Sequence, residues 1–148
     1  MRRISGVCVV LLLALGLFAS PALAQQRGTG RQDRPSGLRQ NYPNPFNPVT
    51  IIPFELGPEL FEGGKQAAVT IRIYTFLRQF VAVPLARSHP LGGAPQVERL
   101  EYSAPGAYEA YWDGLNRDGR KVASGIYFVL LEVNGRRYGE PLKMTVTK

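Results

Sequence analysis

The chain has 148 residues, and its first two dozen have the make-up of an export signal, leaving roughly 124 for one folded domain and excluding a large enzyme. With 45% hydrophobic and 20% charged residues it is neither a disordered chain nor a membrane bundle. The formal charge of +7 resides mostly near the start: Arg2 and Arg3 belong to the signal, and from Asn41 onward twelve cations face ten anions. No stripe of Lys and Arg interleaved with aromatics follows, so a nucleic-acid partner is not expected.

Residues 1–24 predict a signal peptide. Arg2 and Arg3 precede the apolar run from Ile4 to Ala19, and Ala22-Leu23-Ala24 supplies the small residues of a cleavage site. The run is shorter than the ~20 apolar residues that cross a bilayer, so no stable membrane span is expected after cleavage. Cys8 leaves with the signal, which excludes a disulfide framework, a thiolate metal site and a cysteine nucleophile from the mature chain. Residues 25–40, rich in Gly, Arg and Gln without apolar periodicity, predict a disordered basic linker, and residues 41–148 the domain itself.

Val49 to Leu56 alternates Ile52, Phe54 and Leu56 against Ile51, Pro53 and Glu55; Pro53 cannot donate to a ladder, so an edge strand is expected. Ala67 to Tyr74 sets Val69, Ile71 and Ile73 against Thr70, Arg72 and Tyr74, and Gln79 to Val83 is a short third run. Pro84 to Gln96, with three prolines and two adjacent glycines, reads as a surface loop. Val97 to Tyr102 is a weaker strand. Tyr108, Ala110 and Trp112 share a face, and Trp112 is the expected core anchor.

Gly125 to Val133 is the most continuously apolar mature run, which predicts a central strand covered on both faces. Asn134-Gly135 signals a hairpin, and the last strand turns Leu142, Met144 and Val146 inward and Lys143, Thr145, Thr147 and Lys148 outward. About seven strands without a helix predict an all-β, immunoglobulin-like antiparallel sandwich.

Little reaction chemistry is offered. His89 is the single histidine and sits in the Pro- and Gly-rich loop, where it is expected to be solvated, and Ser88 beside it lacks a G-x-S-x-G elbow. An enzyme is not expected, and no cofactor is implied. Asp113, Asn116 and Asp118 with Gly119 offer oxygen donors as weak calcium candidates, but the same residues are ordinary turn chemistry. Tyr42 and Phe46, set between prolines, would rigidify the opening by ring-on-ring packing or form a ligand surface. Tyr74, Tyr102, Tyr108 and Tyr111 read as sheet formers, with sugar stacking in a carbohydrate-binding module as the alternative.

Three stretches carry a family resemblance. Asn41-Tyr42-Pro43-Asn44-Pro45-Phe46-Asn47-Pro48, then Thr50 and the alternation after it, resembles the opening of the type A C-terminal sorting domains of the bacterial type IX secretion system. Trp112-Asp113-Gly114, Asp118-Gly119 and Ser124-Gly125-Ile126-Tyr127-Phe128 are similar to that family's central hairpin, which also recurs in the immunoglobulin-like domain of flagellar hook-capping proteins. Lys143-Met144 ahead of Lys148 resembles the family's end. Thr75-Phe76-Leu77-Arg78 stands where the family carries a D-x-x-G turn.

The resemblance implies passage through the periplasm, then delivery outside the cell or to its surface. Its implied partner is the protein secretion machinery of the outer membrane, and its implied recognition strand runs through Lys143, Met144, Thr145, Val146, Thr147 and Lys148. An assembly or adhesion scaffold working by edge pairing is the alternative that the hook-capping likeness implies. Oligomeric state is left open.

Overall fold

The computed structural model describes residues 36–148; the signal over residues 1–24, with Cys8, and the linker up to residue 35 lie outside the described residues. Ten strands follow in chain order: β1 (Gly37–Leu38), β2 (Thr50–Leu56), β3 (Ala67–Thr75), β4 (Phe80–Ala82), β5 (Leu85–Ala86), β6 (Leu100–Tyr102), β7 (Gly106–Trp112), β8 (Gly125–Val133), β9 (Arg136–Arg137) and β10 (Leu142–Val146). They make two antiparallel sheets. One has the order β1-β2-β7-β5; the other runs β10-β8-β3-β4, with β6 also on β3 and β9 on β8. The expected all-β sandwich is therefore the architecture.

Period-two alternation decides which faces meet. Ile52, Phe54 and Leu56 of β2 and Ala110 and Trp112 of β7 turn inward from the first sheet. Val69, Ile71 and Ile73 of β3 with Tyr127, Val129, Leu131 and Val133 of β8 meet them from the second. Burying one apolar face per sheet is the main drive of such a fold. Trp112 is 2% exposed, as an anchor should be, and its indole Nε1 donates to the Leu115 carbonyl at 2.8 Å.

Several expectations are corrected. The lead-in is ordered in its last part: Gly37 and Leu38 pair with Glu55 and Phe54, Arg39 N donates to the Pro53 carbonyl at 2.8 Å, and Arg39 forms an ion pair with Glu55. Consequently β2 is no edge strand. The Pro53 carbonyl points at Arg39, so its missing N–H lies on the lead-in side and leaves the ladder to β7 intact.

Within the expected loop from Pro84 to Gln96, Leu85 and Ala86 pair with Tyr111 and Ala110, and Ala86 is fully buried. A short 3-10 helix over Pro58–Gly64, kinked at Glu62 and Gly63, interrupts the strands, opened by a proline whose missing donor would be unpaired there anyway. β8 is central as expected but covered on one face: Tyr127, Val129, Leu131 and Val133 are buried, Phe128 and Leu130 are half-buried, and Ile126 is exposed. Apolar residues on both faces suggest two-sided burial; the second face is instead an open, greasy sheet surface.

The Asn134-Gly135 turn forms as the dipeptide predicts, with φ of 52° and 75°. The Asn134 Oδ1 also accepts from the Ala68 N–H at 2.9 Å. At the β3–β4 turn no glycine is available, and Arg78 itself takes the left-handed conformation, with φ of 62°. That backbone costs a bulky residue about 1 kcal/mol or more. Thr75 compensates by closing the turn, its Oγ1 accepting from the Gln79 N–H at 3.1 Å while its carbonyl accepts from the Arg78 N–H at 2.9 Å.

Candidate functional site

The residues of the recognisable motifs converge on one strand. β10 lies at the edge of the six-stranded sheet, with Leu142 to Val146 in register with Val129 to Gly125 of β8. Met144 and Val146 enter the core, while Lys143, Thr147 and Lys148 are exposed and Thr145 is half-buried.

The outer edge of β10 is not bare. Phe46 N donates to the Thr145 carbonyl at 3.0 Å, Thr147 N donates to the Phe46 carbonyl at 2.9 Å, and Thr145 N donates to Asn44 Oδ1 at 2.9 Å. The Thr147 hydroxyl adds a bond to the Phe46 carbonyl at 3.2 Å. The opening segment thus crosses to the far sheet and pairs in parallel with β10 at Phe46 and Val146. Lys143 turns its amide to the same outward side, and no partner faces it among the described residues. An edge otherwise ready for strand addition is closed over Thr145 and Thr147 and open at Lys143.

Sequence chemistry shapes this latch. Asn41 is buried, its Nδ2 donating to Thr50 Oγ1 at 2.9 Å and to the Pro43 carbonyl at 3.1 Å; Thr50 Oγ1 donates to the same carbonyl at 3.0 Å. A proline-rich stretch has few backbone donors, and these side chains supply them. Phe46, 1% exposed, meets Trp112 edge-on at 5.5 Å, and Trp112 meets Tyr127 edge-on at 5.5 Å. Tyr127 stands opposite Met144, and its hydroxyl donates to the Ala123 carbonyl at 2.8 Å.

Gly114 closes the circuit. It has φ of 73°, and a Cβ there would stand 2.6 Å from the Pro48 carbonyl oxygen, so only glycine lets the two motifs meet.

The remaining candidates divide. Pro43, Asn44, Pro45, Asn47 and Pro48 are exposed along the latch, and Gly119, Ser124 and Gly125 are exposed in the hairpin region. Asp113 Oδ1 accepts from the Leu115 N–H at 3.0 Å, and Asn116 Oδ1 accepts from Asp118 and Arg120 N–H at 3.0 and 2.9 Å. These oxygens serve turns, and the Asp118 carboxylate points toward Arg117, 3.9 Å away. Tyr42 and Phe46 do not stack: Phe46 is in the core, whereas Tyr42 is 48% exposed and donates to the Glu109 carboxylate, which raises the Tyr42 hydroxyl above its ordinary pKa.

The four tyrosines form no single surface. Tyr102 is buried among Phe54, His89 and Tyr108, Tyr108 stacks on Phe54, Tyr74 lies on the outer face of the six-stranded sheet, paired with Phe128, and Tyr111, half-buried, stands opposite Ile51 in the four-stranded sheet. His89 is corrected as well: it is half-buried, edge-on to Tyr102 at 5.0 Å, with Nε2 2.9 Å from the Glu101 carbonyl oxygen.

What the fold and its latch define is a two-sheet sandwich with an edge-held β10. No family model and no curated protein matches this chain. Among solved structures, dimeric latent PorU from Porphyromonas gingivalis contains a similar fold, with a TM-score of 0.51 and 20% identity. The match covers 76% of this chain and 9% of that one, so the sandwich corresponds to a small part of PorU. At that identity the likeness is one of fold.

Proposed function

We propose that this chain is a non-enzymatic sorting domain of the type IX secretion class, read by outer-membrane secretion machinery after export to the periplasm and carried to the cell surface. The motif resemblance supplies the class. The observation that supports it best is the convergence of the opening segment, Trp112, Gly114 and Tyr127 on β10, the strand the resemblance marks for recognition. Because the ladder side of β10 is partly closed, the address consists of the outward side chains Lys143, Thr145 and Lys148 and the open backbone at Lys143.

The test is a reporter fused ahead of residues 25–148, behind a signal peptide, in a host that has the secretion apparatus. The intact fusion should cross the outer membrane. Deleting Leu142 to Lys148 should stop it, but that deletion also empties Met144 and Val146 from the core. Lys143→Glu with Lys148→Glu leaves the core intact and should cut surface delivery while the melting temperature holds. Retention of the intact fusion in the periplasm contradicts the proposal, as does undiminished delivery of the charge-reversed pair.

A further inference from the structure

The open face of the six-stranded sheet carries a groove of about 550 Å³, floored by Tyr74, Phe128 and Leu130, with Phe76 at one wall and Arg78 and Arg137 among its lining residues. Its volume is in the range of ordinary ligand clefts. The neighbouring turn is greasy where turns are ordinarily polar: Phe76 and Leu77 are 70% and 74% exposed, and Phe80, 40% exposed, meets Tyr74 edge-on at 6.0 Å.

Arg78 sits at a left-handed position that glycine would occupy without strain, and no carboxylate lies within ion-pair distance of it among the described residues. Strain kept at an exposed, unpaired cation beside an apolar groove marks the residue's use there. Neither the strand pairing nor the core requires it.

We infer that this groove docks an extended peptide segment of a partner protein, one that alternates aromatic or large aliphatic side chains with carboxylates. The floor takes the apolar side chains by offset and edge-on ring contact. The planar guanidinium groups of Arg78 and Arg137 match carboxylates in paired hydrogen bonds. Glu140 lies 3.7 Å from Arg137 and Glu132 is held by Arg72, which leaves Arg78 and, opposite Phe128, Lys143 as the cations of this face outside any ion pair among the described residues. The inference does not rest on the export reading, and because Lys143 stands opposite Phe128 on this face, its test changes Arg78 and Arg137 and leaves Lys143 and Lys148 as they are.

Three fluorescein-labelled decapeptides are the probes: one alternating Phe or Leu with Glu, one with Lys in place of Glu, and one with Ala in place of Phe and Leu. Binding to the folded chain is read by anisotropy and by amide chemical-shift mapping. The acidic aromatic peptide should bind, move the resonances of Tyr74, Arg78, Phe128 and Leu130, and weaken as salt rises. Arg78→Glu and Arg137→Glu should each weaken it by about tenfold.

Arg78→Gly separates docking from folding, since it relieves the backbone and should raise the melting temperature while weakening the peptide several-fold. Equal binding of the Lys peptide, shifts confined to the other sheet, no binding at all, or an Arg78→Gly variant that binds undiminished overturns the inference. So does tighter association with phosphatidylglycerol vesicles than with the acidic peptide.

Discussion

Tyr102 shows how one atom can be at odds with its surroundings. The ring is 1% exposed and packed edge-on against Phe54, His89 and Tyr108, yet its hydroxyl has no hydrogen-bond partner among the described residues. Burial pushes that hydroxyl far above the ordinary tyrosine range. An unpartnered buried hydroxyl costs about 1–3 kcal/mol, while the ring itself contributes to the core. Tyr102→Phe should therefore stabilise the domain by about 1 kcal/mol in denaturant titrations. A loss of stability instead would show that the hydroxyl is satisfied in solution. Gly114 is the opposite case, a residue whose lack of a side chain is its contribution, because the Pro48 carbonyl occupies the space.

Elements were legible in proportion to their length. β2, β3, β7, β8 and β10 each run five residues or more, long enough for period-two alternation to be read. β1 and β5 have two residues each and no period to read, so a composition of Gly, Pro and Arg read as linker and loop although both ribbons pair with long strands. The apolar run of β8 does not report its covering, because Phe128 and Leu130 are apolar although they lie half-buried on the open face.

The 3-10 helix had no periodic signature either, and its place is held by side chains. Tyr138 donates to Glu59 Oε1 at 2.5 Å and Ser36 Oγ donates to the same oxygen at 3.3 Å. The Tyr138 hydroxyl beside Glu59 holds that carboxyl below the usual carboxylate range. A carboxyl with a depressed folded pKa stabilises above its unfolded value, and that contribution fades as pH falls through the folded one. Tyr138→Phe should return the Glu59 titration, followed by carbon NMR, toward the ordinary value and flatten the acid limb of the stability profile. An unmoved titration would show that this tie is absent in solution.

At the scale of the molecule, the opening segment joins one sheet to the edge of the other. Asn44 and Thr145 are 101 positions apart, and no local pattern announces such a pairing. The motif residues were legible in the sequence, but their joint task of holding β10 was not, because it exists only once both sheets are assembled. The latch protects most of an edge that would otherwise invite association, and it leaves the Lys143 end accessible.

Amide hydrogen exchange by NMR on the folded chain tests this arrangement most directly. Thr145 and Thr147 should exchange at least about tenfold more slowly than Lys143, and Asn44→Ala should release Thr145 more than Thr147. Exchange of Thr145 and Thr147 as fast as Lys143 would mean the edge is bare, and protection of Lys143 equal to theirs would mean it is closed throughout. Either result contradicts a terminal strand held by the opening segment and left open at one end.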